Sequence, residues 1–472
     1  MSKIEYVCLS DLHFGDTASV LTTLSDNGAD IDPTRPGDTL TQLVACLRSL
    51  VARCGGGRPK LVLAGDALEF ALASDNIALM AFEQFLRLLA GGGDPLFSEI
   101  LFIPGNHDHH IWETARETQY ARYVTTVPPG KRLAPPWHTT TLVTDEKHPG
   151  VPSELLGSLL RSRAGDTTTS ISVVYPNHGF FSADGTRAVI FSHGHYIETI
   201  YQLMSKLKTW VFPAARAPER IYEIEEENFA WIDFFWSMMG RQGDAGKDVD
   251  HIYKALHDPK RLEEVIGNLS ASMAKEFDLP FVPEALEPKI IAMLLRKIVA
   301  VAAKGERDES GDPVTGLSKE GEAGLRWFVE RPLRDQILHE GGQLMPLRMA
   351  FIWGHTHKPF ARLMDFNGYP HEVEVFNTGG WVIESPEHAP NRGGAVILVD
   401  DAQEVVSIEM FHDVDAAAPV KVTSAGSTRA AQVAFRDAVE QAIAADPAQW
   451  SAFSNAVAAA VEVRHARLAK MR

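Results

Sequence analysis

Ile103-Pro104-Gly105-Asn106-His107-Asp108 follows the apolar run Glu99-Ile100-Leu101-Phe102. Such a run suits a strand buried on both faces, and Pro104-Gly105 ends it in a turn. Asn106, His107 and Asp108 are therefore expected at a strand's carboxyl end, the rim where open α/β sheets bind ligands. The pattern recurs. Residues 4–9 run into Ser10-Asp11-Leu12-His13, and residues 60–64 into Gly65-Asp66-Ala67-Leu68-Glu69. Residues 189–192 run into His193-Gly194-His195, and residues 349–353 into Gly354-His355-Thr356-His357. Apolar runs that all end in carboxylate, imidazole or carboxamide predict one shared site.

Helical patterns separate the first three runs. Leu40, Leu43, Val44, Leu47, Leu50 and Val51 mark a helix over 39–52, with Asp38 as its N-cap and Gly55-Gly56-Gly57 as its stop. A second helix over 76–89 ends at Gly91-Gly92-Gly93, and a third reads over 109–123. The order β, α, β, α, β predicts right-handed crossovers and a largely parallel sheet. The polar loop 14–37 is expected over the crevice. Residues 171–175 and 187–191 read as an antiparallel pair turning at Asp184-Gly185. Residues 347–353, 371–376, 394–399 and 404–411 read as strands of a second sheet. The expected fold class is α/β.

A chain of 472 residues exceeds what one core usually fills. The expected plan is a core over 1–196 and 346–412, a helical insertion over 197–345 with an acidic loop at 305–318, a linker at 413–428 and a helical tail at 429–472. Within the insertion Ile224, Asn228, Trp231, Phe235 and Met238 follow helical spacing, joined by Phe234 and Trp236. They form either the insertion's own core or an apolar cap that takes a lipid or aromatic leaving group. The tail helices either dock on the body or dimerise, and the oligomeric state stays open.

The net charge of −17 disfavours a nonspecific nucleic-acid groove, which needs clustered Lys and Arg, but admits a small phosphate substrate. Cys8, Cys46 and Cys54 lack metal-ligand spacing and read as core thiols. Their odd number and the absence of a secretory leader point to a reducing cytoplasm. The longest apolar run, 290–303, is interrupted by Arg296 and Lys297, so no bilayer span is expected, though peripheral membrane contact stays open.

Asp11, His13, Asp66, Asn106, His193, His355 and His357 form one donor set of oxygen and imidazole, without thiolate. That set suits two divalent ions, Mn first, with Fe or Zn as alternatives. In an extended segment positions i and i+2 point the same way, so Asp11 with His13, and His355 with His357, converge. These donors are too many for one tetrahedral ion and enough for two that share a carboxylate, which predicts a binuclear centre. Two such ions against two carboxylates leave a charge of about +2, attractive to phosphate, and lower the pKa of water towards ~7.

Asp11-Leu12-His13, Gly65-Asp66-Ala67-Leu68-Glu69, Gly105-Asn106-His107-Asp108, His193 and Gly354-His355-Thr356-His357 together resemble the five blocks of the calcineurin-like metallophosphoesterases, complete and in order. The insertion and the tail lie outside the resemblance. It implies a four-layer α/β/β/α sandwich. It further implies one metal at Asp11, His13, Asp66 and His357 and a second at Asp66, Asn106, His193 and His355, with Asp66 bridging. By the same resemblance His107 protonates the leaving oxygen or steadies phosphoryl charge, and Glu69 orients His107. Imidazole titrates near neutral pH, which fits that role. Asp108 reads as the partner of a metal ligand or as a helix cap, His195 as substrate-facing, ligand-steadying or surface, and His109 as substrate-contacting or merely packed.

Glu69-Phe70-Ala71 stands where the protein serine/threonine phosphatases of that superfamily carry Asp-Arg-Gly. The nearest look is to the UDP-2,3-diacylglucosamine pyrophosphatase type, which shares a helical insertion, Lys358-Pro359 after the Gly-His-Thr-His turn, and a segment like Asn377-Thr378-Gly379-Gly380-Trp381-Val382. Enzymes of that type often have arginine at the position of His107, and their insertion is shorter. The resemblance implies a phosphoric ester hydrolase, a phosphodiesterase or pyrophosphatase before a phosphomonoesterase, acting through metal-generated hydroxide on a phosphorylated small molecule or lipid-linked substrate. Two alternatives stand beside it. One is a nuclease of the recombination-repair kind, which the negative charge disfavours; the other is a non-catalytic scaffold, which would be expected to have lost ligands.

Overall fold

Apolar runs become strands and amphipathic runs become their crossovers in the computed structural model of the chain, which describes residues 3–26, 28, 30–144, 150–212, 214–238, 316–341, 344–426 and 428–470. Most of the expected insertion, the run 290–303 and residues 305–315 of the acidic loop lie outside the described residues. Strands β1 (Ile4–Leu9), β2 (Lys60–Ala64) and β3 (Glu99–Ile103) lie parallel side by side. Helices α1 (Asp38–Arg53) and α2 (Asp75–Ala90) connect them. Leu40, Leu43, Val44, Leu47 and Leu50 are buried on α1. The N-cap of α1 is Gly37, and Asp38 is instead its first helical residue, where a carboxylate favours the amino-terminal dipole. Helix α2 stops at Gly91, whose φ of 55° a residue with a Cβ adopts only at a cost.

The chain builds two mixed sheets and is an α/β protein. After helix α3 (His110–Thr126) come β4 (Val151–Pro152), helix α4 (Glu154–Ser158), β5 (Ser170–Val173), β6 (Asn177–Phe181) and β7 (Arg187–Ser192). Helices α5 (Leu203–Val211), α6 (Ile221–Ile232), α7 (Lys319–Phe328) and α8 (Arg334–Glu340) precede β8 (Arg348–Trp353), β9 (Phe360–Met364), β10 (Val373–Asn377), β11 (Gly393–Asp400), β12 (Val405–His412) and β13 (Lys421–Thr423). Helices α9 (Ala430–Ala444) and α10 (Pro447–Lys470) end the described chain. The eight-stranded sheet runs β13-β12-β11-β1-β2-β3-β5-β4, and the five-stranded sheet runs β6-β7-β8-β10-β9.

Three expectations are corrected. The strand at 171–175 is not the partner of β7: β5 lies parallel to β3, and β7 pairs antiparallel with β6. Chain direction flips within a few residues there, and apolar periodicity carries no information about which neighbour a strand takes. Strands β11 and β12 belong beside β1, with Val7 opposite Leu398, and not to the second sheet. Every residue of β11 is buried, as a central strand requires. Residues 413–428 are more than a linker, because they turn at Asp413–Asp415 and supply β13, with Ser407 opposite Thr423.

The sheets face each other across Cys8, Val62, Ala64, Leu101 and Ile103 from one and Val189, Phe191, Ala350, Ile352 and Phe376 from the other. Tyr6 stacks on Phe180 across this interface at 4.5 Å. Alternate residues point outward. Phe102 meets Phe82 of α2 at 6.4 Å, and Phe351 meets Phe328 of α7 at 6.3 Å. Each such buried side chain is worth roughly 1.5–3 kcal/mol, and the alternation holds every site-bearing strand between two apolar layers. All three cysteines are buried and free. Among the described residues no helix is long and apolar enough to cross a membrane.

Candidate metal centre

The five predicted strand ends meet at one place. Asp11 and His13 leave β1, Asp66 and Glu69 leave β2, Asn106 and His107 leave β3, His193 leaves β7, and His355 and His357 leave β8; all are buried. Adjacent loops lock together through the backbone, with the Asp11 N–H donating to Gly65 O and the His13 N–H to Asp66 O, both at 2.9 Å. Asp11, His13, Asp66, His355 and His357 have φ of 52°, 46°, 50°, 71° and 58°. Among the described non-glycine residues only Gln403 joins them in the left-handed region. That conformation costs roughly 1–3 kcal/mol per residue and persists where the surroundings enforce it, typically at functional sites. Close approach requires glycine beside them: a Cβ on Gly105 would lie 2.2 Å from Asp66 Oδ1.

Two donor clusters result. Asp11, His13 and His357 bring their ligand atoms within 4.8 Å of one another, and so do Asp66, His193 and His355. In the first, His357 Nε2 is 3.3 Å from Asp11 Oδ1 and 3.3 Å from His13 Nε2. In the second, His193 Nε2 is 3.3 Å from Asp66 Oδ2 and 3.0 Å from Asn106 Oδ1. Asp66 Oδ2 is also 3.9 Å from His13 Nε2, and it is buried without a hydrogen-bond partner.

The remote imidazole nitrogens explain the orientations. His13 Nδ1–H donates to Glu69 Oε2 at 2.8 Å, His193 Nδ1–H to Ala64 O at 3.1 Å, and His355 Nε2–H to Glu198 Oε1 at 3.0 Å. His357 Nδ1 lies 3.4 Å from Glu384 Oε2. Fixing one nitrogen as a donor turns the other lone pair inward, the arrangement that imidazole metal ligands need. At His193 the inward lone pair then faces two oxygens. A cation, whether a proton or a metal ion, reconciles these groups, and a carboxylate oxygen buried between the clusters suits a shared ligand, so the residues present fit metal ions.

The electrostatics agree. Burial alone would lower His13 and His193, yet Glu69 raises His13 to about 9 and Asp66 raises His193 to about 9. Against its own burial Asp66 is held well below the usual carboxylate range by His193 and His107, and Glu69 is held at about 2 by His107 and His13. The site draws positive charge. His355, by contrast, is lowered by burial in spite of Glu198.

His107 Nδ1–H donates to Glu69 Oε1 at 2.8 Å, so the one carboxylate of Glu69 holds both His107 and His13. His107 also comes within 4.8 Å of donors on His13 and Asp66. Asp108 is not a helix cap, since α3 begins after His109. Its carboxylate accepts from the N–H groups of Gly105 at 2.6 Å, Ala67 at 2.8 Å and Leu68 at 3.1 Å, tying the Asp66 loop to the Asn106 loop. Burial and the charge of Asp66 push it up to about 7.

His195 is neither exposed nor a donor to the clusters. Its Nε2 lies 3.2 Å from the Tyr175 hydroxyl, and its ring packs on Tyr196 at 4.2 Å. His109 contacts no cluster. It is buried between Glu225 at 3.2 Å and Asp233 at 3.4 Å, because the helical segment 221–237 covers the start of α3. The sequence reading missed Glu198, Glu384, Glu225 and Asp233; a single carboxylate in a loop or on a helix has no pattern that marks it. Ser237 of the same segment accepts from the His110 N–H at 2.9 Å and donates to His107 O at 3.3 Å. Tyr201 meets both His355 and Trp236 at 5.2 Å.

Fold and site together define an α/β protein whose strand ends carry two adjoining His/Asp clusters. No protein-family model matches the chain, and no curated protein matches it.

Proposed function

We propose that the chain is a calcineurin-like metallophosphoesterase that hydrolyses a phosphodiester or pyrophosphate bond, with phosphomonoesters as the less favoured substrate. Two adjoining clusters with the buried Asp66 Oδ2 between them, 3.3 Å from His193 Nε2 and 3.9 Å from His13 Nε2, carry this reading. Facing sheets with helices against their outer faces support the family's four-layer arrangement. Asp11, His13, Asp66 and His357 would hold one ion, and Asp66, Asn106, His193 and His355 the other. When bound, the ions supply hydroxide at neutral pH and offset phosphoryl charge.

The remaining work falls to the protein. His107, oriented by the Glu69 carboxylate at 2.8 Å, protonates the leaving oxygen. Glu69, Glu198 and Glu384 orient ligand imidazoles, and Asp108 fixes the two loops that present Asp66 and Asn106. Tyr201, Trp236 and Ser237 bring the insertion against His355 and His107, which supports the apolar cap and a substrate with an apolar or aromatic leaving part.

The test is hydrolysis of bis-p-nitrophenyl phosphate and p-nitrophenyl phosphate by metal-stripped protein resupplied with Mn. The diester is expected to be cleaved in preference, Asp66→Asn to be inactive, and His107→Ala to be slowed by ~10²- to 10⁴-fold, as for loss of a general acid. Preference for the monoester moves the assignment to a phosphatase. No turnover of either ester with no metal taken up overturns the proposal.

A further inference from the structure

A third set of donors lies outside the centre just described. His388, in the segment between β10 and β11, Asp413, just after β12, and His465, on α10, bring their ligand atoms within 4.8 Å of one another. Asp413 Oδ1 is 2.6 Å from His465 Nε2 and 3.3 Å from His388 Nδ1. His388 Nδ1 is also 3.0 Å from Asp413 O. The second carboxylate oxygen, Oδ2, accepts from the Ala389 N–H at 2.8 Å, which fixes the carboxylate with Oδ1 towards the imidazoles. The imidazole rings are 3.9 Å apart, and Glu462 Oε1 stands 3.9 Å from His388 Nε2. Asp413 is 2% exposed, whereas His388 is 42% exposed and opens the cluster to solvent.

Composition and convergence repeat those of Asp11, His13 and His357: two imidazoles and one carboxylate within the same span. Two imidazoles this close repel if both are protonated, whereas one divalent ion, by displacing the protons between His465 Nε2 or His388 Nδ1 and the Asp413 oxygens, lets both rings stay neutral. From this geometry we infer a third metal site, mononuclear, held by His388, Asp413 and His465 and suited to a borderline ion such as zinc. Its remaining position is open to water or to Glu462. The ion staples α10 to the loops that flank β11 and β12. Those loops reach the catalytic region, since Asp413 N–H donates to Arg392 O at 2.9 Å and Arg392 pairs with Glu384 beside His357.

The test is zinc content per full-length chain after equilibrium dialysis, for the parent, His388→Ala, His465→Gln, Asp66→Asn and the Asp66→Asn/His388→Ala double variant. His388→Ala is expected to lose about one equivalent relative to the parent, and the double variant about one relative to Asp66→Asn. Zinc is expected to raise the melting temperature of Asp66→Asn by more than that of the double variant, which keeps only Asp11, His13 and His357 as an intact two-imidazole, one-carboxylate set. Should His465→Gln fail to fold, the exposed His388 still carries the comparison. Equal zinc in His388→Ala and its parent, and in the two Asp66→Asn proteins, overturns the inference and leaves a hydrogen-bonded cluster only. Metal lost with His388 but unchanged in Asp66→Asn would uphold this site while sinking the binuclear one.

Discussion

At the scale of single residues Glu69 is the most informative position, because its two oxygens hold imidazoles with different expected work: His13 as a ligand and His107 as an acid. Glu69→Gln is therefore expected to weaken metal affinity by roughly 10- to 100-fold through His13, and to slow turnover at saturating metal through His107. His107→Ala slows turnover with metal affinity close to that of the parent. Metal titration beside kcat separates the two; identical behaviour of both variants would refute the division of labour. Gly105→Ala forces a Cβ to 2.2 Å from Asp66 Oδ1 and is expected to cost metal affinity in the same titration, with the fold retained. The donors themselves were legible in the sequence, because each stands directly after an apolar run, and strand ends place such residues together whatever the sheet order. Glu198 and Glu384 were not, since what makes them matter is proximity to His355 and His357 across long chain separations.

Among elements, α6 shows where sequence reading stops. Its apolar spacing predicts a buried face, and Ile224 and Asn228 are buried, yet its charged residues decide how it sits. Glu225 of α6 and Asp233, which caps its end, enclose His109 just before α3. Burial alone would lower His109, and Glu225 and Asp233 reverse this to about 9, while Asp233 is driven below the usual carboxylate range by His109 and His110 against its burial. A raised histidine stabilises fully below its unfolded value near ~6.5 and loses that contribution as pH climbs through about 9. The melting-temperature gap between the parent and His109→Gln should therefore be widest near pH 5–6.5 and shrink as pH rises through about 9. A gap independent of pH would show that His109 acts by packing alone. Strand partners were similarly beyond the sequence: β5 alternates polar and apolar residues and β7 runs apolar, but neither pattern names a neighbour, and the two lie in different sheets.

For the whole molecule the question is whether the tail is an appendage or part of the folding unit. A linker over 413–428 implies an appendage, but β13 closes the edge of the main sheet and α10 packs across the body. Phe453 of α10 is fully buried and meets Trp381 at 6.3 Å, and Arg464 Nη2 donates to Ser19 O at 2.7 Å and to Thr22 O at 2.5 Å. Trp381 in turn donates its backbone N–H to Asp11 O at 3.0 Å, so the tail braces the residue behind a candidate ligand. Truncating a core phenylalanine costs about 3–5 kcal/mol. If α10 belongs to the cooperative core, Phe453→Ala lowers the free energy of the main unfolding transition by that amount, and its denaturant midpoint by that amount divided by the unchanged slope, since the same surface is exposed on unfolding. Metal affinity falls with it, because Asp11 is held less firmly. An independent tail would instead unfold in a separate, earlier transition and leave both the main midpoint and the metal affinity in place.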